Sequence, residues 1–255
     1  MENFTVGIYL VSFLFYLLAC FFKQKFFPKI ALLSLSLGFL GCLFLVIRHF
    51  FQTQRLPLTN TSETLLFAAT IIGLIFLAVN YKNKLAKVIG LLVSLIASLA
   101  LISSLWLARS SPMPLLPALQ SKWLVFHVSS CIIAYCFFTI AFVTALIYIV
   151  NRESRSSDIL SITHSSVSIG FLFLTLGIIL GSIWGKFAWG HWWNWDPKEV
   201  WALITWFIYG YYFHAFLAKK HSEEKLCWIA IAGFLSCLFT YFGVNFLLKG
   251  LHSYA

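Results

Sequence analysis

Eight apolar segments of membrane-spanning length follow one another along this chain of 255 residues. A helix needs about 20 apolar residues to cross the hydrocarbon core of a bilayer. Inside lipid the backbone polar groups must pair within the segment, which favours helices. We therefore predict an all-α polytopic membrane protein with about eight transmembrane helices. The segments are residues 5–22, 30–47, 64–79, 88–108, 124–150, 164–183, 197–218 and 226–248.

Composition agrees with a membrane protein. Hydrophobic residues make up 61% of the chain and charged residues 10%, and the mean hydropathy is +0.90. Soluble domains contain roughly half apolar and a quarter charged residues. The first segment lacks the basic start and small-residue cleavage site of a signal peptide, so we predict a retained span. Because no long linker divides the chain, residues 1–255 are predicted to form a single transmembrane domain.

The net charge of +10 has two interpretations, nucleic-acid binding and membrane topology. The basic residues lie in short loops between apolar segments, which favours topology. Eleven fall on one side and seven on the other, so the first side is predicted to face the cytoplasm, or the stroma of a plastid. Both termini then face outward. The eleven are Lys23, Lys25, Lys29, Lys82, Lys84, Lys87, Arg152, Arg155, Lys219, Lys220 and Lys225; the seven are Arg48, Arg55, Arg109, Lys122, Lys186, Lys198 and Lys249.

The segment from Trp184 to Trp201 contains six of the ten tryptophans. Tryptophan is enriched at membrane interfaces, but usually as scattered anchors. This density, interrupted by glycines, predicts an aromatic surface that holds a flat ligand. At the end of the segment, Asp196 is a good helix cap, Pro197 suits the first helical position and Glu199 can complete a capping box. The tryptophan-rich segment, residues 184–201, therefore lies on the outer side and leads into the seventh helix.

Histidines are costly to leave unpaired in lipid and are frequent metal ligands. His127 and His252 are both predicted at the depth of the tryptophan-rich segment, and either a ligand pair or two polar anchors would explain them. His214 lies 18 residues beyond Asp196, which is about 27 Å along a helix axis. It therefore belongs to a second, inner site, for which His164 is a possible partner.

The remaining histidines and the cysteines are given structural interpretations. His49 is predicted at the membrane interface and His221 in a solvated loop, while His191 is open to either ligand or solvent contact. The six cysteines lie in or beside apolar segments without a Cys-x-x-Cys pair, which indicates packing. Asn60 and Glu63 are predicted to cap the third helix.

Haem is a flat ligand that takes two axial histidines and carries two propionates. Tryptophan faces would cover the porphyrin, and basic side chains would meet the propionates. Quinone also fits an aromatic surface but needs no histidine pair. The residues alone thus indicate an outward aromatic site with a histidine pair, and haem as the favoured ligand. The candidate propionate partners are Lys186, Lys198, Arg109, Arg55 and Lys249.

Trp184-Gly185 together with Trp193-x-Trp195-Asp196-Pro197-Lys198-Glu199-x-Trp201 resembles the WWD signature of haem-handling proteins, in particular the CcsA (ResC) type of cytochrome c biogenesis protein. Further matches extend from about residue 57 to the end of the chain. They are residues 57–63, His127-Val128-Ser129 with Ala134-Tyr135, residues 201–214, Gly243-Val244-Asn245 and Lys249-Gly250-Leu251-His252-Ser253-Tyr254.

The resemblance implies that His127 and His252 are axial ligands of an external haem b, the transported substrate. His214 would be the membrane-embedded histidine, with its companion supplied by a CcsB (ResB) partner. The implied function is haem transport and presentation to the Cys-x-x-Cys-His of an apocytochrome c, called system II biogenesis. The implied haem surface consists of Trp184, Trp189, Trp192, Trp193, Trp195 and Asp196.

No catalytic residue is implied, so the chain would at most be part of a cytochrome c synthase complex. The expected location is a bacterial inner membrane, or alternatively a plastid thylakoid. Three other functions stay open: a haem chaperone for another carrier, a quinone-reactive membrane subunit, and a transporter or channel whose tryptophans form only an interfacial belt.

Overall fold

The computed structural model describes residues 1–80, 86–108, 115–151, 156–219 and 221–252, without the side chain of Asn80. Eight spans in these ranges are long and apolar enough to cross a membrane, which confirms the predicted all-helical polytopic fold. They are α1 (Glu2–Phe21), α2 (Phe26–Thr53), α3 (Thr61–Asn80), α4 (Ala86–Leu107), α5 (Lys122–Val150), α6 (Ser157–Trp189), α7 (Pro197–Leu217), and an eighth span made of α8 (Glu223–Leu238), a π-helical turn (Phe239–Gly243) and α9 (Val244–Leu247).

Several residues used in the sequence predictions lie outside the described residues. They are Lys82, Lys84, Arg109, Arg152, Arg155, Lys220, Ser253 and Tyr254.

The chain divides into two compact units, Met1–Ser110 and Ser111–Ala255. In the first, α1 and α3 each pack against α2 and α4, so the four helices form a ring. In the second, α5 and α7 each pack against α6 and α8, which gives a second ring of four. Each ring buries its own core, and the organisation of residues 1–255 as one domain stays a prediction.

The first unit is built around two tyrosines of α1. Tyr9 and Tyr16 are buried, and the Oη of Tyr9 lies 3.4 Å from the carbonyl oxygen of Ala69 in α3. Ser12, between them, donates a 2.9 Å hydrogen bond to the carbonyl of Ala31 in α2. Buried hydroxyl groups need such acceptors because water is absent from the core. These bonds link α1 to its neighbour α2 and, across the ring, to α3.

The start of α3 follows the predicted capping pattern with one shift. The Asn60 side chain accepts a 2.9 Å hydrogen bond from the backbone N–H of Glu63, which confirms Asn60 as the cap. The Glu63 carboxylate reaches back to the N–H of Thr59, one residue before the cap, at 3.0 Å. It also accepts two hydrogen bonds from the Arg55 guanidinium, at 2.7 and 2.8 Å. Arg55 is therefore paired within the first unit.

Helix α6 is longer than the hydropathy of its sequence predicts. The prediction ended the helix at residue 183, but it continues to Trp189, so the first third of the tryptophan-rich segment is helical. The chain leaves the helix at Gly190, whose φ of 84° lies in the left-handed region that glycine adopts freely. Hydropathy locates the part of a helix that crosses lipid, whereas the end of the helix is set by this glycine.

The core of the second unit contains close aromatic packing made possible by glycine. The rings of Phe138 in α5 and Tyr209 in α7 stack with centroids 3.7 Å apart and planes 8° apart. A Cβ atom at Gly233 in α8 would lie 2.6 Å from the ring of Tyr209. Because Tyr209 is already stacked on Phe138, it cannot move away.

This packing predicts that Gly233→Ala destabilises the protein by about 1–3 kcal/mol through overpacking. Gly210→Ala in α7 is the matched control, since its new Cβ would meet Phe171 at an ordinary 3.8 Å. Both changes gain the same helix propensity, up to about 1 kcal/mol. Thermal unfolding of the purified variants measures the difference; equal melting temperatures would contradict the packing described here.

Candidate functional site

His127 lies in the second turn of α5, against a groove of glycines on α6. Its Nδ1 is 2.7 Å from the carbonyl oxygen of Gly177. A Cβ atom at Gly181 would lie 2.7 Å from the imidazole, so only glycine leaves room for the ring there. The groove continues towards Gly185, which gives a repeat of glycine at every fourth residue on one face of the helix.

His252 follows α9 in the tail of the chain and is held by Asp196. Its Nδ1 lies 2.8 Å from Oδ1 of Asp196, and the backbone N–H of Leu251 donates to Oδ2 at 2.5 Å. The His252 side chain is 13% exposed and that of Asp196 only 2%. One buried carboxylate therefore fixes both the backbone and the imidazole of the tail.

The two hydrogen bonds assign the same tautomer to both histidines. A carbonyl or carboxylate oxygen only accepts, so in each neutral imidazole Nδ1 carries the proton and donates it. The lone pair then resides on Nε2, which is the atom left to bind a metal. Metal-binding histidines are commonly oriented in this way by a carbonyl or carboxylate.

Trp184 lies next to both imidazoles. Its ring centroid is 5.9 Å from that of His127, with the planes 11° apart, and 5.6 Å from that of His252. The indole is 1% exposed and donates its N–H to the carbonyl of Ala118 at 2.9 Å. Trp189 completes the group, with its ring 4.8 Å from His252. Residues from α5, α6 and the tail thus meet around one fixed tryptophan.

Asp196 caps α7 while it holds the tail. Its Oδ1 accepts the backbone N–H of Lys198 at 3.0 Å, and Glu199 completes the predicted capping box. Burial by itself raises the pKa of the Asp196 carboxyl group. The hydrogen bond from His252, together with the N–H donors of Lys198 and Leu251, outweighs burial, and the pKa of this carboxyl group lies below its usual 3.8. The carboxylate is therefore ionised at neutral pH.

The turn before Asp196 is strained and exposes tryptophan. Trp195 has a backbone φ of 57°, a left-handed conformation that residues other than glycine rarely adopt. The N–H groups of Asn194 and Asp196, on either side of it, both donate to Oε2 of Glu199, at 2.8 and 3.2 Å. This shared acceptor holds the turn, and Trp195 is 71% exposed. Strain of this kind costs about 1–3 kcal/mol and is concentrated at functional sites.

The other predicted haem-surface residues lie further from the histidines. Trp192 is 57% exposed, while Trp193 is half-buried with its ring 5.9 Å from that of Trp195. The tryptophan-rich segment therefore has two parts, a buried part that touches the imidazoles (Trp184 and Trp189) and an exposed part (Trp192 and Trp195).

His214 is separate from this group, and His164 does not pair with it. His164 packs on Tyr212 and Phe216 of α7, with a hydrogen bond between its Nδ1 and the Tyr212 hydroxyl. Each of those residues is two positions from His214, which corresponds to about 200° around the helix. His214 is exposed on the opposite face of α7. The possible His164–His214 pair is therefore wrong.

Two features of the site were missed in the sequence. No local sequence pattern predicts the hydrogen bond between Asp196 and His252, because 56 residues separate them. The glycine groove could have been predicted, since Gly177, Gly181 and Gly185 form the small-residue repeat that allows close helix packing in membranes.

The arrangement can supply two axial ligands rather than a complete coordination sphere. Within the described ranges, no three His, Cys, Asp or Glu side chains are grouped to hold a metal ion. Two Nε2 lone pairs beside aromatic rings suit a metal whose other ligands come from a flat macrocycle.

Known cytochrome c assembly proteins are similar to this chain over most of its length. The family model described as "Cytochrome C assembly protein" matches residues 58–252. The CcsA cytochrome c biogenesis protein of Guillardia theta is 33% identical over 99% of this chain and 95% of its own length. That of Prochlorococcus marinus (strain MIT 9312) is 32% identical over 93% and 88%. The CcsA protein of Chlamydomonas reinhardtii is 34% identical over 80% of this chain and 62% of its own length.

A solved structure, "Cytochrome c Heme Lyase CcmF", has the same fold with a TM-score of 0.76 at 18% identity. The match covers 98% of this chain and 46% of the lyase chain, so this chain spans about half the length of that structure. Since the family model covers well over half of the chain and the CcsA protein of Guillardia theta matches it almost end to end, the chain belongs to the CcsA family of cytochrome c assembly proteins.

Proposed function

We propose that this protein carries haem across a membrane and presents it at the outer face to apocytochrome c, in system II cytochrome c biogenesis. The observation that supports this most strongly is the pair of histidines beside Trp184. Each imidazole is held through Nδ1, and each keeps Nε2 for a metal. His127 and His252 are the proposed axial ligands of haem b.

The aromatic residues give the proposed site its shape. Trp184 and Trp189 fix the imidazoles by ring contact, while Trp192 and Trp195 offer exposed indole faces for the porphyrin. Offset stacking of such faces on a flat π-system is favourable. Asp196 acts on the haem only through His252, as the residue that positions the ligand.

Polar groups near the segment fit the propionate edge of the haem. The buried Nδ2 of Asn194 has no hydrogen-bond partner among the described residues, and an unmet buried donor is costly. A propionate oxygen would satisfy it. Lys249, next to the tail that carries His252, would supply a positive charge to the same edge.

The inner site and the partner follow from His214. A histidine exposed on a membrane-spanning helix is costly in lipid and calls for a companion. We assign that companion to a CcsB (ResB) type subunit, so that haem received at His214 passes outward to the His127–His252 pair. The membrane would be a bacterial inner membrane or a thylakoid, with the tryptophan-rich segment outside.

The attachment chemistry uses thiols of the substrate. Each thiol of the apocytochrome Cys-x-x-Cys-His adds across a haem vinyl group, with sulfur bonding one carbon and the proton going to the other. No electrons are gained or lost, and no thiol of this chain is needed. The role of this chain is to hold haem with its vinyl groups accessible.

The absorption spectrum of the protein purified with its partner tests the proposal. The wild type should show a bis-histidine low-spin haem, and the double variant His127→Ala/His252→Ala should lose that signal from the outer site. His221→Ala is the matched control, since that ring instead bonds the Tyr211 hydroxyl at 2.7 Å. A bis-histidine spectrum that survives both the double variant and the added change His214→Ala would refute the ligand assignment.

Asp196→Asn tests the positioning of His252. Asparagine keeps the capping ability, but it removes the charge and turns an N–H donor towards Leu251 or His252. Loss of such an orienting group typically lowers metal affinity about 10- to 100-fold, and we expect haem affinity in titrations to fall by this factor. Asp158→Asn, at the exposed start of α6, should leave affinity unchanged. Equal affinities of the two variants would contradict the positioning role.

Trp195→Gly separates stability from binding. Glycine adopts the φ of 57° without strain, so the haem-free variant should unfold at a higher temperature than the wild type. Haem affinity should fall, because an exposed aromatic face is lost. A variant with unchanged affinity would show that Trp195 does not touch haem.

A further inference from the structure

Lys198 is a cation next to the Asp196 carboxylate that orients His252. It is the second residue of α7, and its backbone N–H binds the carboxylate of Asp196. Its side chain turns inward and is partly buried, and Nζ donates a 2.8 Å hydrogen bond to Oδ1 of Asn245. That acceptor is neutral, so the hydrogen bond fixes the ammonium group and leaves its charge uncompensated by that partner.

The π-helical turn of the eighth span is what places Asn245. This turn, Phe239–Gly243, winds more loosely than the α-helix before it and shifts the residues that follow around the axis. Each added residue corresponds to about 100° of rotation. Phe239 packs on Trp201 of α7 with ring centroids 4.2 Å apart, which holds the turn against that helix. Asn245 and the tail with His252 therefore come from the same reoriented end.

The fixed charges around the two imidazoles have opposite signs. Asp196 lies at Nδ1 of His252, and its negative charge makes that ligand a stronger electron donor, which favours ferric iron. Lys198 supplies the opposite sign: its backbone N–H is bonded to the same Asp196 oxygen that His252 contacts, and its ammonium group is fixed at Asn245. Ferric iron carries one more positive charge than ferrous iron, so a nearby fixed cation disfavours the ferric state. The nearby carboxylate of Glu199 accepts hydrogen bonds from the N–H groups of Asn194 and Asp196 in the turn and not from Lys198.

We propose that the Lys198 ammonium group, fixed by Asn245, raises the reduction potential of haem iron bound between His127 and His252 and so favours ferrous haem. This inference rests on the proposed function, because it concerns haem at the same site. It makes Lys198 and Asn245 residues that set the electrostatics of the ligand pair, distinct from residues that bind the porphyrin or its propionates.

A redox titration of the haem-loaded complex with its partner tests this, with dithionite as the electron donor for the one-electron iron couple. Lys198→Gln should lower the midpoint potential, and Lys198→Arg should keep it near the wild-type value. Asn245→Asp should also lower it, because the new carboxylate would neutralise the ammonium group. Lys122→Gln is the control, since it removes an exposed positive charge at the start of α5.

The outcomes separate the possible roles. A Lys198→Gln potential equal to that of Lys122→Gln, with the bis-histidine spectrum intact, overturns the inference. Loss of haem affinity without a change of potential means that Lys198 binds a propionate, which also overturns it. If Lys198→Gln retains no haem, Asn245→Asp decides by the same criterion. If the wild-type complex has no bis-histidine haem at all, the proposed function fails and this inference fails with it.

Discussion

One buried carboxylate connects the parts of the chain that form the site. Asp196 caps α7, receives the backbone of the tail at Leu251, and holds His252 by its Nδ1. A buried carboxylate is stable only when such donors compensate its lost hydration. The helix start, the end of the strained turn and the tail therefore depend on one another, and the position of His252 depends on all three.

His127 is oriented by a different kind of contact. Among the described residues no charged side chain is bonded to it; the glycines of α6 leave the carbonyl of Gly177 accessible, and the ring packs directly on the helix. Trp184, anchored on the carbonyl of Ala118, then lies against both imidazoles. One ligand is thus oriented by a carbonyl and the other by a carboxylate. This asymmetry gives the two ends of the proposed haem axis different electrostatic environments, with Lys198 placed to offset the negative one.

Much of the fold and part of the site could be predicted from the sequence. The eight spans follow from hydropathy, and the cap at Asp196 from local residue preferences. The sequence also predicts that His214 lies about 27 Å along α7 from Asp196, because residue count along a helix converts directly to distance; its assignment to a second site stays a prediction. The helical conformation of Trp184–Trp189 was not predicted, because hydropathy does not locate the end of a helix. That end is set by the capping residue Gly190. The Nδ1 partners were missed because they depend on contacts between distant parts of the chain.

In the proposed site, two imidazoles, each fixed through Nδ1, bind one haem iron through Nε2. Pulsed electron paramagnetic resonance of the oxidised complex tests it directly, in protein carrying ¹⁵N-labelled histidine and the change His214→Ala. We expect hyperfine coupling from two axial histidine nitrogens, reduced to one by either His127→Ala or His252→Ala. Two-nitrogen coupling that persists when both His127 and His252 are replaced, or a spectrum with no histidine coupling in the presence of both, would contradict it.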